Sequence, residues 1–336
     1  MISYEKLDGT YLRDVMAQPQ ALRDTVAGLE VVPGLGAVRE NLRAGRLRRL
    51  VLTGMGGSYH LLVPLHLRLT AAGFDSILVE TSELIHAMPA LLDARNVVVV
   101  LSQSGASAEI VRLLEREGPL YLGVTNTPGS PLAEKAHEVV FTRAGVEGGV
   151  ACKTSVTALI ALDWVARHLA GEALEPVDLS GAAEEYLSRW WEHVDEMVRA
   201  LEGAERAFFA GRGPSMAAVG LGAMLQKEAA HFHGEGMSSA ALRHGPFEML
   251  GAGSLVVVYE GEMGVELNRA LVRDVLATGA KGFFCGPSAE PGPFRIAAAE
   301  PVLELLPAQM LSLAAAYRAG REPGKFERIT KVTAAE

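Results

Sequence analysis

The residues with the most chemistry to offer are Ser102, Gln103, Ser104, Gly105 and Ser107, which follow directly on the apolar run VVVVL after Asn96. A short run of that kind, then a cluster of small hydroxyl residues, then IVRLLE, predicts a buried parallel strand, a tight loop and the start of a helix. Backbone N–H groups at a helix start, joined by the hydroxyls of Ser102, Ser104 and Ser107, suit phosphate oxygens without any Lys or Arg. Serines at such a place also fit ordinary helix capping, and the loop alone does not separate the two roles.

The elements that must position this loop come from a repeat. RRLVLTGMGGSYHLLVPLHLRL and ERAFFAGRGPSMAAVGLGAMLQ share a basic lead, a buried strand, Gly-x-Gly-x-Ser and a helix, with Ser58 matched to Ser215 (215 − 58 = 157 residues). At nearly the same offset NVVVVLSQSGASAEIVRLLE is echoed by GSLVVVYEGEMGVELNRALV, and PLYLGVTN by AKGFFCGPS. Each half therefore reads as alternating strands and helices, a parallel sheet flanked by helices, and the fold class is α/β with two tandem domains. The hydroxyl cluster belongs to the first half alone, because its counterpart runs from Tyr259 to Gly264 as YEGEMG. The expected organisation is a helical lead-in over 1–45, a phosphate-binding domain over 46–170, a helical linker over 171–204, a second domain over 205–310, and a C-terminal amphipathic helix and tail over 311–336.

Composition narrows the function classes. With 31 basic and 40 acidic residues the net charge is −9, and no basic stripe suited to nucleic acid exists; the densest patch, LRAGRLRRL, reads as the solvated end of a helix. No apolar segment is long enough for a membrane span, and MISYEKLDGTYLRD lacks the pattern of a secretory signal, so a cytoplasmic protein is expected. Two cysteines, Cys152 and Cys285, are too few for a disulfide framework or a zinc site. The Gly-x-Gly-x-Ser loops invite a dinucleotide reading, with Glu80 near the place of a ribose-binding acid, but Tyr59 and Met216 occupy the position of the third fingerprint glycine. Sugar phosphate is favoured over dinucleotide, and no cofactor is expected.

At LSQSGASAE the chain resembles the sugar isomerase (SIS) family, and the likeness extends over roughly residues 45 to 336. GMGGSY, LSQSG, TNTPGSPL, AGVEGGVACKT, GAMLQKEAAHFHGEG, LRHGP and KVT fall in the order found in the isomerase half of glucosamine-6-phosphate synthases. The resemblance implies two flavodoxin-like SIS domains and a set of roles. Ser58, Ser102, Gln103, Ser104 and Ser107 would hold the sugar phosphate, and Val150 and Ala151 would line the sugar. Glu228 would be the base that moves a proton between C1 and C2. His244 would assist ring opening from the neighbouring subunit of a homodimer, and Lys331 would form an imine with the open-chain ketose.

These roles suit the chemistry. Aldose and ketose phosphates interconvert through an enediol or ene-aminol, so a carboxylate must remove a proton beside a carbonyl or imine and return it to the next carbon. A lysine imine makes that proton easier to remove. HFHGEG also offers His231, His233 and Glu235 as metal donors beside Glu228 or His244, but a dedicated site usually repeats such a motif on other helices, and no metal is expected.

The chain also departs from the synthase pattern. Leu225 stands where the synthases carry a lysine, and the first strand starts about 45 residues in, so no glutaminase domain is expected ahead of it. The expected activity is an aldose/ketose phosphate isomerase or an aminosugar-6-phosphate deaminase of the glucosamine 6-phosphate to fructose 6-phosphate type. A fructosyl-amine 6-phosphate deglycase and a non-catalytic sugar-phosphate sensor are the alternatives.

Overall fold

The computed structural model describes residues 4–328 and 330–333, and the chain divides into two compact units. One comprises Gln20–Glu147, Lys153–Asp178 and the tail from Arg328; the other comprises the N-terminal segment up to Pro19, Gly148–Cys152 and Leu179–Glu327.

In the first unit, strands β1 (Arg49–Gly54), β2 (Ser76–Glu80), β3 (Asn96–Leu101), β4 (Leu120–Thr125) and β5 (Glu138–Phe141) form a parallel sheet in the order β2-β1-β3-β4-β5. Every residue of β3 is buried, as a continuous apolar run requires at the centre of a sheet covered on both faces. Val51, Val98 and Val100 pack with Leu84, Ile85, Ile110 and Leu113 from the helices that follow β2 and β3. The Lys153–Ala170 helix, buried along most of its length, packs on β4 and β5.

The winding decides where a ligand fits. From β1 the chain moves outward to β2, then returns to lay β3 on the opposite side of β1. The loops leaving β1 and β3 diverge at that switch point and leave a crevice at the carboxyl ends of the strands. Ser58 follows β1 and Ser102 to Ser107 follow β3, so the two parts of the predicted phosphate site leave neighbouring strands at the same end of the sheet.

The second unit repeats the winding with one strand fewer. Strands β6 (Arg206–Gly211), β7 (His233–Ser238), β8 (Ser254–Tyr259) and β9 (Lys281–Cys285) are parallel in the order β7-β6-β8-β9. Phe208, Ala210, Val256 and Val258 pack with Leu242, Leu271 and Val275. Two parallel sheets flanked by helices, as the repeat predicts, are present.

The boundaries differ from the expected sequential ones. The first part of the lead-in belongs to the second unit, because the Tyr11 hydroxyl bonds Ser312 Oγ at 3.0 Å and Gln18 Nε2 donates to Gln309 Oε1 at 2.7 Å, both buried. The Ser180–Leu187 and Trp190–Ala200 helices, read as a linker, pack on the Pro301–Arg318 helix and join the same core. That helix is consequently buried nearly all round rather than amphipathic, with its polar residues bonded internally. No helix among the described residues is long and apolar enough to cross a membrane.

Candidate active site

In the first unit the serine loop is shaped by its own side chains. Buried Ser102 accepts the Gly105 N–H at 3.1 Å through Oγ, and Ser104 Oγ accepts the Ala106 N–H at 3.3 Å. Ser107 immediately precedes the Ala108–Leu113 helix in an extended conformation, yet its side chain makes no capping bond. Plain capping therefore does not account for this hydroxyl. Gly105 sits at φ +62°, and a Cβ there would lie 2.2 Å from Ser130 Oγ, so the tight turn demands glycine. The Gln103 carbonyl accepts the Asn126 N–H at 3.1 Å and the hydroxyls of Thr125 and Thr127 at 3.2 and 3.1 Å, which ties the loop to the end of β4. Ser58, Gln103, Ser104 and Ser107 are all half-buried.

The C-terminal tail reaches this same loop. Thr333 accepts the N–H of Ala108, the residue after Ser107, at 3.1 Å through its carbonyl. Two residues earlier, Lys331 Nζ donates to Glu147 Oε2 at 3.1 Å; the Glu147 side chain is 0% exposed and that of Lys331 24%. Glu147 is held in turn by Thr154, whose N–H reaches Oε1 at 3.0 Å and whose hydroxyl reaches Oε2 at 2.6 Å. Asn126 braces the segment before Glu147: its Nδ2 donates to the Gly145 carbonyl at 2.8 Å, and its Oδ1 accepts the Ala144 N–H at 2.7 Å. A continuous set of hydrogen bonds therefore runs from Gln103 through Asn126 to the loop that carries Glu147. One unit brings together Ser58, Ser102, Gln103, Ser104, Ser107 and Lys331.

The second unit carries the other four predicted residues. Glu228 lies half-buried near the end of the Met216–Ala230 helix, and burial raises its carboxyl above the usual range against the opposing charge of Lys227. His244 ends the Ser239–Arg243 helix with an exposed side chain. Val150 is buried and Ala151 half-buried. Leu225, expected from the sequence to take the place of the synthase lysine, is fully buried.

The metal candidate changes character. The helix stops at Ala230, His231 turns left-handed at φ +51°, and HGEGMS forms strand β7 along β6, so Glu228 and His231 do not share a helical face. Gly234 and Gly236 let that strand lie against the preceding helix, where a Cβ at either would stand 2.5 Å from the carbonyl oxygens of Ala223 and Val219. Among the described residues no three His, Cys, Asp or Glu side chains are grouped to hold a metal ion.

The counterpart of the serine loop is closed by acids. Ser215, matched to Ser58, is buried and donates to Glu304 Oε1 at 2.8 Å, while Glu260 accepts the N–H and hydroxyl of Ser288 at 2.8 and 2.6 Å. Burial pushes the Glu304 carboxyl from 4.5 up to about 7; the Ser215 bond opposes this, and Glu300, Glu262 and Glu260 add to it. The folded state thus keeps a proton that the unfolded chain releases, and stability falls as pH rises from 4.5 to about 7. Glu304→Gln removes the charge at similar shape. Relative to the parent it is expected to gain up to about 3 kcal/mol between about pH 5 and pH 8, read from urea midpoints at each pH. A difference that does not grow with pH would contradict a buried acid there.

Sequence reasoning missed Glu147 and Thr154. Both lie within or beside AGVEGGVACKT, but a single acid in a glycine-rich loop carries no spacing signal, and its partner Lys331 is 184 residues away.

Residues 46–168 match the model of the SIS domain family. A glutamine–fructose-6-phosphate aminotransferase (isomerizing) of Pyrococcus horikoshii is 32% identical over 265 residues, 73% of this chain and 42% of its own. Its namesake in Symbiobacterium thermophilum is 30% identical over 97% of this chain and 59% of its own. The chain therefore spans about half the length of the curated relatives it matches. Among solved structures, the C-terminal domain of a glucosamine-fructose-6-phosphate aminotransferase from Francisella tularensis superposes with a TM-score of 0.79 at 21% identity, covering 97% of this chain and 100% of that one. A glucosamine-6-phosphate deaminase from Thermotoga maritima gives 0.77 at 19% identity, with the same coverage of 97% and 100%. These two share the fold.

Proposed function

Because this chain belongs to the SIS domain family, carried by residues 46–168, we propose that it is a phosphosugar isomerase, and in finer terms an aldose/ketose isomerase or aminosugar-6-phosphate deaminase that interconverts glucosamine 6-phosphate and fructose 6-phosphate. One observation carries this reading: the tail that bears Lys331 is bonded to the residue after Ser107, so an amine and a hydroxyl-lined anion loop are held in one unit. The named relatives support the sugar-phosphate class.

In this reading Ser58, Ser102, Gln103, Ser104 and Ser107 take the phosphate, and binding energy gained there orients carbons that react several bonds away. Val150 and Ala151 line the sugar. His244, exposed on its own subunit, assists ring opening in the partner of a homodimer. Lys331 attacks the ketose carbonyl and forms an imine. Glu228 removes the proton from one of C1 and C2 and returns it to the other, a task suited to a carboxyl that burial has made more basic. The substrate is a soluble sugar phosphate, and neither nucleic acid nor membrane enters.

The test is a panel of hexosamine, ketose and fructosyl-amine 6-phosphates assayed for ammonia, ketose phosphate and amino acid. Ammonia or aldose/ketose exchange supports the proposal, release of an amino acid selects a deglycase, and binding without turnover selects a sensor. Ser104→Ala is expected to weaken sugar-phosphate binding by roughly 10- to 100-fold, the worth of one hydrogen bond to a charged group. Unchanged affinity would remove the loop from the phosphate site.

A further inference from the structure

The ion pair between Lys331 and Glu147 is the cluster of chemistry-bearing groups to which none of the roles above gives a purpose. Glu147 is a carboxylate with a 0% exposed side chain, built into a loop that Asn126 fastens to the serine loop, with its oxygens directed by the Thr154 N–H and hydroxyl. Thr154 belongs to the first turn of the Lys153–Ala170 helix, whose N-terminal end favours a negative charge beside it. A pair that only tied down the tail would work as well at the surface, where ion pairs are worth little but cost nothing in desolvation. Burying a carboxylate is expensive, and its geometry here ends on the one nitrogen that the proposed chemistry needs.

We propose that Glu147 is the proton carrier for imine formation at Lys331. The inference rests on the reading of Lys331 as the imine-forming lysine. An ammonium has no lone pair and cannot attack a carbonyl, so a proton must leave Lys331 before the C–N bond forms. Glu147, at 3.1 Å, takes that proton and becomes the neutral acid. The free amine then adds to the carbonyl carbon of the open-chain ketose phosphate; the N–C bond forms, and the amine's second proton passes to the carbonyl oxygen, giving a carbinolamine. Glu147 returns its proton to the carbinolamine hydroxyl, the C–O bond breaks, water leaves, and the iminium and the Glu147 carboxylate remain. Charge and atoms balance without any further reactant. Thr154 is the positioning residue, because its two donors orient Glu147 toward the amine and not toward solvent.

The experiment is borohydride capture of the imine in the full chain, with fructose 6-phosphate as the probe and mass analysis of the peptide containing Lys331. The parent is expected to be labelled at Lys331. Glu147→Gln is expected to slow capture at least about tenfold, the lower end of proton-transfer effects after allowance for water as a substitute carrier, with fructose 6-phosphate affinity within about twofold of the parent. Glu147→Asp, which keeps the acid and shortens its reach, is expected to recover part of the rate at the same affinity. A purely structural anchor would instead lower affinity, and Asp would not restore the rate. Parental capture rates in Glu147→Gln overturn the proposal and leave the Lys331 reading standing; absence of label in the parent overturns the Lys331 reading and the proposal with it. If Glu147→Gln does not fold, the Asp variant decides: an intermediate capture rate at parental affinity supports the role, and a parental rate overturns it.

Discussion

Replacing Glu228 by Gln is expected to lower kcat for sugar-phosphate interconversion by about 10²- to 10⁴-fold, the range ascribed to a positioned general base. The carboxyl lies half-buried near the end of the Met216–Ala230 helix, and loss of solvent raises it above the ordinary 4.5 despite the neighbouring Lys227 charge. A base acts only when ionised. Activity should therefore fall as pH drops through a value higher than that of an exposed carboxylate, and the residual activity of the Gln variant should lack this acid limb. Phosphate affinity, assigned to the serine loop of the other unit, should change less than about threefold, so the loss should appear in kcat. A Gln variant with parental kcat would remove Glu228 from the chemistry and return it to an ordinary helical acid.

Gly105→Ala should be nearly as damaging, but in binding. The residue sits at φ +62°, where an L side chain costs roughly 1–2 kcal/mol. The added Cβ would also lie 2.2 Å from Ser130 Oγ and 2.8 Å from Ser130 Cβ. Ser130 accepts the Ala133 N–H at the start of the Pro131–Lys135 helix, so it cannot retreat without losing a cap worth about 1 kcal/mol. Movement of Gly105 instead would break its N–H bond to Ser102 Oγ and open the turn that spaces the hydroxyls. The free loop relieves this strain by opening, so binding must restore the turn at about 2–3 kcal/mol, and affinity for fructose 6-phosphate should drop on the order of 10²-fold by calorimetric titration. Retained affinity in a folded Ala variant would show that the loop does not grip the phosphate.

Much of this molecule is legible residue by residue. The apolar run before Ser102 names β3 because a central parallel strand must be apolar on both faces, and small residues must follow where the chain turns at the crevice. The repeat names the second sheet for the same reason. What the pattern misreads are elements whose surroundings come from afar. The Pro301–Arg318 helix carries Glu304, Gln309 and Ser312, which suggests a wet face, yet each bonds a residue distant in sequence and lies in the core. Glu228 and His231 stand at helical spacing in the sequence, but a left-handed His231 ends the helix and two glycines admit an edge strand against it.

By itself, then, the sequence determined the fold class, the two related sheets and the hydroxyl loop, since each depends on local periodicity and on residue types a few positions apart. Only the tertiary structure decided that the first residues join the second unit, that the tail crosses back to the serine loop, and that Lys331 meets a buried Glu147. Those outcomes depend on which desolvated polar groups find partners across long separations, and no spacing along the chain encodes that pairing.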